Sequence, residues 1–329
     1  MTLLEVKDLK THFFADSGAI PAVDGVSFSL EKGKTLGVVG ESGCGKTVMS
    51  LSVMRLIAQP GKVVSGEIRL DGVDLLKLSN AEMCDLRGAD LAMIFQEPMT
   101  SLNPVHRVGA QVSEAIRLHQ GLTGAQARAK ALEMFELVGI PDPARRMWNY
   151  PHQLSGGLRQ RVMIAMALSC QPKLLIADEP TTALDVTVQA QILDLLRELQ
   201  RKTQMAILLI THDLGVVAEM ADQVSVMYTG KVVEYGHVFA VFDRPLHPYT
   251  QGLYRSIPSI ADEERKRLHA ISGVVPNLQQ MPQGCSFWPR CEKAHDVCRV
   301  RRPPLVEAEP GHWVSCFLYG GEEVAASGE

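Results

Sequence analysis

Residues 35–47 read TLGVVGESGCGKT, an aliphatic run that leads directly into a glycine-rich segment. The run Thr35 to Val39 is typical of a buried parallel strand, and Val48 to Ile57 can form the helix that follows the loop. The segment between them matches the phosphate-binding loop pattern, in which backbone N–H groups surround a polyphosphate and the lysine reaches its terminal phosphates. We therefore expect a nucleoside triphosphate with Mg²⁺ to bind at Gly40, Glu41, Ser42, Gly43, Cys44, Gly45, Lys46 and Thr47.

Length, composition and charge limit the class of protein. The chain has 329 residues, enough for about two domains, and 46% are hydrophobic, which excludes disorder as the main state. A net charge of −4 and an aromatic content of 5% argue against nucleic acid as a partner. The apolar runs are far shorter than the ~20 residues that cross a bilayer. The N-terminus lacks the features of a secretory signal, so we expect a cytosolic chain that does not span the membrane.

The order of predicted elements indicates an α/β fold. Leu174 to Ala177 and Ala206 to Ile210 are aliphatic runs typical of central parallel strands. Leu3 to Leu9 and Val26 to Leu30 alternate apolar and polar residues, which predicts antiparallel strands at one edge of a mixed sheet. Residues 97–155 are predicted to be a helical insertion, with a capping box from Thr123 to Gln126. The region from Pro245 onward holds nine of the 18 prolines and is predicted to be a separate, loop-rich region with little core.

Polar side chains follow three of the predicted strands. Asp178 and Glu179 end one strand, where an open α/β sheet places its ligand-facing residues. Asp178 suits a Mg²⁺ shell, and Glu179 is the better candidate to orient or deprotonate the water that attacks the γ-phosphate. His212 follows the next strand, within reach of the γ-phosphate, and Gln96 follows Leu91 to Phe95, where its amide can contact metal or water.

A second anion-binding segment follows the helical insertion, in addition to the phosphate-binding loop. We call this segment the second cradle. Ser155, Gly156 and Gly157 precede a helical run and combine a hydroxyl, two flexible residues and a helix N-terminus. One nucleotide does not need two cradles from one chain. We therefore expect the second cradle to serve a nucleotide held by another subunit.

The chain resembles the ATP-binding subunits of ABC transporters, whose motifs it carries in order: GESGCGKT, Gln96, LSGGLRQR, LLIADEP, Ala183 to Asp185 and Thr211-His212. The resemblance implies a phosphate-loop ATPase domain over residues 1–242, with a mixed sheet, an antiparallel β edge and a helical subdomain at about 97–155. It implies catalytic roles for Glu179, His212, Lys46 and Gln96, and Mg²⁺ ligands at Thr47, Gln96 and Asp178. It adds Ser155, Gly156, Gly157 and Asp185 to the ATP-binding residues, together with an adenine-stacking aromatic, Phe13 or its neighbour Phe14.

The region 243–329 resembles the C-terminal extension of dipeptide- and oligopeptide-importer ATPases, most of all those of dipeptide importers. It contains the motif His247-Pro248-Tyr249-Thr250 and a group of four cysteines. These cysteines include no CxxC pair, and such a pair is the usual mark of a structural zinc site. The similar subunits imply a [4Fe-4S] cluster there, with Zn²⁺ or unligated thiols as alternatives. The ligands would be Cys285, Cys291, Cys298 and Cys316.

The resemblance also implies partners and a location. Two permease subunits, a second, related ATPase subunit and an extracytoplasmic peptide-binding protein would complete an importer at the cytoplasmic face of the inner membrane. The helical insertion, and above all Glu97 to Val105, would contact the permeases. The solute stays open between dipeptides, oligopeptides and nickel. The alternative function is that of a soluble ABC ATPase acting on DNA or ribosomes, whereas an unrelated kinase or GTPase would not explain the second cradle.

Overall fold

The computed structural model describes residues 1–16, 18–97, 101–182, 184–256 and 271–319. Unit I comprises Met1–Leu4, Ser29–Thr35 and Arg69–Ile210, and unit II comprises Glu5–Phe28, Leu36–Ile68 and Thr211–Glu329. The predicted domain boundary near residue 242 is not a boundary between these units and stays a prediction. Ala183 and residues 98–100 of the expected permease contact lie outside the described residues.

The described residues form both strands and helices. The strands are β1 Thr2–Ala15, β2 Gly18–Glu31, β3 Thr35–Val39, β4 Gly61–Leu70, β5 Val73–Asp74, β6 Leu91–Ile94, β7 Leu174–Asp178, β8 Ala206–Ile210, β9 Gln223–Tyr228, β10 Lys231–His237, β11 Val306–Glu309 and β12 His312–Val314. The helices are α1 Lys46–Val53, α2 Asn80–Leu86, α3 Val108–Gln120, α4 Gly124–Leu137, α5 Pro143–Arg146, α6 Gly156–Leu168, α7 Val186–Thr203, α8 Leu214–Met220, α9 Val238–Asp243, α10 Pro248–Arg255 and α11 Asp296–Val300. Within the described ranges, no helix has the length and hydropathy needed to cross a bilayer.

Unit I contains three parallel strands in the order β8–β7–β6. Each is buried along its whole length, as expected for aliphatic strands covered on both faces. Helices α3 to α5 lie within the predicted helical insertion. The predicted capping box is confirmed, because Thr123 Oγ1 accepts the N–H of Gln126 and the Gln126 side chain accepts the N–H of Thr123.

Unit II contains β3 and β9 in parallel, followed by antiparallel β10, β12 and β11. The C-terminal region, predicted to be separate and to have little core, contributes to both the sheet and the core of unit II. Its strand β12 pairs with β10, Glu234 opposite Val314, and its Phe287 is buried in one hydrophobic cluster with Tyr228 and Tyr249. The physical reason is that β10 would otherwise leave an edge of unpaired N–H and C=O groups.

The first two strands lie in a different sheet from the one expected. The order β2–β1–β4–β5 defines a four-stranded sheet. The antiparallel edge beside β9 is instead made by β10 and β12. Alternation of apolar and polar residues fixes which face of a strand is buried, but it does not fix which strand lies next to it.

We predict that Glu234→Ala lowers the free energy of unfolding by about 3 kcal/mol, because it leaves several buried donors without an acceptor. The Glu234 carboxylate is fully buried and accepts the N–H groups of Leu246 and His247 at 2.7 and 2.9 Å, and its Oε1 lies 2.8 Å from His312 Nε2. The control is Glu307→Ala, which removes an exposed acceptor of one N–H group, that of Gly311. Chemical denaturation should show a much smaller loss for the control; equal losses would contradict the prediction.

Candidate functional site

The phosphate-binding loop of unit II connects buried β3 to α1. Gly40, Gly43 and Gly45 have φ values of 153°, 78° and 98°, which L-residues with side chains rarely adopt. A Cβ at Gly40 would lie 2.2 Å from the carbonyl oxygen of Met227, and one at Gly45 would lie 2.3 Å from that of Ala22. The path of the loop therefore requires glycine for steric reasons as well as for its backbone angles.

Lys46, the first residue of α1, folds back over this loop. Its Nζ donates to the carbonyl oxygens of Gly40 and Glu41 at 2.7 and 3.0 Å, and the side chain is buried. Thr47 is exposed beside it. The loop thus combines a positive charge, a hydroxyl and a helix N-terminus, which is the chemistry that a polyphosphate with Mg²⁺ needs.

Two residues that the sequence did not single out for the nucleotide site contact the loop at Glu41. The backbone N–H of Glu41 donates to Tyr249 Oη at 2.7 Å. Its carboxylate accepts two hydrogen bonds from the guanidinium of Arg290, at 2.6 and 2.9 Å. The HPYT motif drew attention to Tyr249 as part of the C-terminal extension, but no local pattern marked Arg290.

In unit I, the ends of β6 and β7 bring Gln96 and Glu179 together. Gln96 Nε2 donates to Glu179 Oε2 at 3.1 Å, and Thr182 Oγ1 donates to the same oxygen at 2.7 Å. Asp178 ends β7 and is almost fully buried, whereas Glu179 is partly exposed and has a φ of 46°. Because parallel strands end at the same edge, the sequence predicts that Gln96, Asp178 and Glu179 are neighbours.

The second cradle and Asp185 each lie at the N-terminus of a helix in unit I. Ser155 is the N-cap of α6, where its Oγ accepts the N–H of Leu158 at 3.4 Å. Ser155 and Gly156 are exposed, and Gly157 is partly exposed, so the N-terminus of this helix is accessible. Asp185 is exposed and is the N-cap of α7.

His212 and the two candidate aromatic residues belong to unit II. His212 is exposed and precedes Asp213, which is the N-cap of α8 and accepts two backbone N–H groups there. Phe13 is partly buried, and a Cβ added at Gly61 would lie 2.7 Å from its ring. Phe14 is about half exposed, at 49%. Either aromatic ring thus remains a candidate for adenine stacking.

The four clustered cysteines line one small cavity of unit II. Burial raises the pKa of the Cys285 and Cys291 thiols and raises the pKa of Cys316 to about 11, so these thiols are protonated at pH 7 without a bound cation. Cys298 joins them, since its carbonyl accepts the N–H of Cys285 at 2.8 Å. The donor chemistry fits a four-thiolate group. Among the described residues, however, no three His, Cys, Asp or Glu side chains are arranged to ligate a metal ion.

Two protein families match separate segments of the chain. The ABC transporter family matches residues 23–182, and the family described as oligopeptide/dipeptide transporter, C-terminal region, matches residues 233–298. The oligopeptide transport ATP-binding protein AppD of Bacillus subtilis (strain 168) is 53% identical, covering 98% of each chain. The dipeptide transport ATP-binding protein DppD of Escherichia coli (strain K12) is 52% identical, covering 96% of each.

The fold is also similar to that of a solved ATP-binding cassette. The dimeric cassette MJ0796, in a post-hydrolysis state bound to ADP and Pi, matches with a TM-score of 0.66 at 26% identity, over 72% of this chain and 99% of that one. The phosphate-binding loop, the signature and the strand-end carboxylates all lie within the segment that matches the ABC transporter family. The chain therefore belongs to the ABC transporter family, within its group of oligopeptide and dipeptide transport ATP-binding proteins.

Proposed function

We propose that the chain is the ATP-hydrolysing, energy-coupling subunit of an importer that takes up dipeptides or oligopeptides across the bacterial inner membrane. One observation carries the proposal: an ATPase motif set and a C-terminal region typical of oligopeptide/dipeptide transporters occur in the same chain. Relatives about half identical over nearly the whole chain are named as peptide transport ATP-binding proteins. A role on DNA or ribosomes would leave the C-terminal match unexplained, and the match favours peptides over nickel.

The proposed reaction is in-line attack of water on the γ-phosphate of ATP, for which positioning and electrostatics supply most of the acceleration. Lys46 is assigned to the terminal phosphates, Glu179 to the attacking water and His212 to the γ-phosphate. Oxygen atoms of Thr47, Asp178 and Gln96 suit Mg²⁺, which prefers such ligands and neutralises phosphate charge when bound.

The hydrogen bonds at Glu179 support its role. Gln96 and Thr182 both donate to Oε2, and these two contacts restrain the orientation of the carboxylate. A group that orients or deprotonates water needs such a restrained geometry.

The accessible N-terminus of α6 supports a dimer. We assign Ser155, Gly156 and Gly157, with Asp185, to the nucleotide held by a second ATPase subunit. Two such subunits would enclose two ATP molecules, each between one chain's phosphate-binding loop and the other chain's signature. A related but different chain is the proposed partner, and two permeases with an extracytoplasmic binding protein would complete the importer, with this subunit at the cytoplasmic face of the membrane.

The four thiols support a finer proposal, a [4Fe-4S] cluster that stabilises the C-terminal region, with Zn²⁺ as the alternative. All four line one cavity, and iron or zinc would provide the positive charge that keeps buried thiols deprotonated.

The permease contact is proposed to lie on the helical segment 97–155. Val105 and Trp148 are exposed there, at 72% and 54%, and the guanidinium of Arg107 lies over the Trp148 ring at 5.2 Å. Arg107 and Trp148 line a cavity of about 370 Å³, together with Met147, Glu114, Arg117 and Arg128 among others. Apolar side chains beside several arginines suit a cytoplasmic permease segment with an apolar face and acidic residues.

We predict that Glu179→Gln lowers ATP turnover by about a hundredfold or more, because the amide cannot act as a base and its water is misoriented. ATP binding should persist, and the variant mixed with its partner ATPase subunit should trap the closed dimer, measured by gel filtration with Mg-ATP. The control is Glu198→Gln on α7, where an exposed carboxylate pairs with Lys202. Undiminished phosphate release from Glu179→Gln would contradict the assigned role.

A second prediction concerns the thiols. Protein purified without oxygen should be brown and contain about four iron atoms per chain. Cys316→Ser should lose the colour and the iron, whereas Cys84→Ser, which changes an exposed thiol outside the cavity, should keep both. Colourless protein with one zinc per chain would exclude the cluster.

A third prediction tests the permease contact. Val105→Asp should reduce ATP-driven peptide uptake in reconstituted vesicles about tenfold, because it places a charge in an apolar contact. The basal ATPase activity of the chain together with its partner ATPase subunit, measured without the permeases, should not change. The matched control is Val274→Asp, at a valine of unit II that is 87% exposed. Loss of uptake and basal ATPase together would argue against a docking role.

A further inference from the structure

A buried arginine of the cysteine-rich region holds the phosphate-binding loop of unit II. The Arg290 guanidinium donates from Nη1 to Glu41 Oε2 at 2.6 Å and from Nη2 to Glu41 Oε1 at 2.9 Å. Two parallel N–H···O bonds fix both the position and the plane of the carboxylate, which a single contact would not. Arg290 thereby joins the loop to a segment 249 positions further along the chain.

A tyrosine holds the same residue by its main chain. The N–H of Glu41 donates to Tyr249 Oη at 2.7 Å, and Tyr249 is fully buried. Its ring packs against those of Tyr228 and Phe287, with centroids 4.6 and 5.4 Å away. The hydroxyl therefore has little freedom to move, and Glu41 is fixed at both its backbone and its side chain.

Arg290 is itself rigidly placed. Its Nε donates to the carbonyl oxygen of Ser272 at 3.0 Å, and its guanidinium lies 5.9 Å from the ring centres of both Tyr228 and Phe287. The side chain is almost completely buried, so removal of its charge partner would leave a costly unpaired cation. The pair is thus not an exposed ion pair of the kind that contributes little.

Glu41 also contacts Lys46, the residue assigned to the terminal phosphates of ATP. Lys46 Nζ donates to the carbonyl oxygens of Gly40 and Glu41, so a shift of Glu41 displaces one acceptor of the ammonium and the peptide groups that surround the phosphates. We infer that Arg290 and Tyr249 are positioning residues for the phosphate-binding loop, which makes the cysteine-rich region a working part of ATP binding. This inference rests on the proposed function, because it requires that the loop bind ATP.

The test compares ATP affinity among variants of the full chain by calorimetry with Mg-ATP. Arg290→Ala should raise the Kd about tenfold or more, since the loop loses its bidentate contact. Arg290→Lys should recover only part of this loss, because an ammonium cannot bind both carboxylate oxygens in the same geometry. The control is Arg299→Ala, which removes an arginine of the same region that lies over Trp288, and its Kd should stay within about twofold of wild type.

Tyr249→Phe provides a second, milder variant. It deletes the hydroxyl that accepts the Glu41 N–H and keeps the buried ring, so it should fold and raise the Kd about threefold. Near-UV circular dichroism and thermal melting would check the fold of each variant. If Arg290→Ala does not fold, Tyr249→Phe decides the question.

The outcomes separate the inference from the function on which it rests. Wild-type ATP affinity in Tyr249→Phe and in every folded Arg290 variant would overturn the positioning role, even if their melting temperatures fell. If the wild-type chain bound ATP no better than Lys46→Ala, the proposed function itself would fail. Weakened binding in the Arg290 and Tyr249 variants, with Arg299→Ala unchanged, would establish the role.

Discussion

The phosphate-binding loop of unit II depends on a close approach between backbones. At Gly40 and Gly45 the loop passes so near the carbonyl groups of Met227 and Ala22 that a Cβ would come within 2.2 and 2.3 Å of them. The carbonyl oxygen of Cys44 also accepts the N–H of Gly230 at 2.8 Å. The loop is therefore held by its neighbours in the fold, and Lys46 is buried against it, where its Nζ donates to the carbonyl oxygens of Gly40 and Glu41.

The same constraint explains why the C-terminal region belongs to the core of unit II. The loop approaches the neighbouring backbone at its glycines. Glu41 is its first residue with a side chain. That side chain is neutralised by Arg290, and its N–H is accepted by Tyr249. Burial lowers the pKa of the neighbouring His247 to about 4, so its neutral Nδ1 can accept the N–H of Tyr249 at 3.0 Å and start α10. The HPYT motif thus has a structural role.

The sequence predicts the parts of the site that depend on local pattern and on parallel strands. Gln96 and Glu179 are neighbours as expected, because β6 and β7 are parallel and end together. The Glu41–Arg290 pair could not be predicted from one sequence, since nothing local relates two residues so far apart. The sheet to which β1 belongs was also beyond prediction, because alternation is the same for a strand in either sheet. The assignments of ATP and Mg²⁺ ligands remain predictions.

Glu179 combines an unusual main-chain conformation with a carboxylate that is held by hydrogen bonds. Its φ of 46° is unusual for a residue with a side chain and costs energy that neighbouring contacts must offset. The Glu179 N–H donates to the carbonyl oxygen of Ile210 at 2.8 Å, and Gln96 and Thr182 hold its carboxylate. Gln96 also begins the connection from β6 to the helical segment proposed to contact the permease. A displacement of Gln96 would remove one donor from the Glu179 carboxylate and would leave the contact with Thr182 in place.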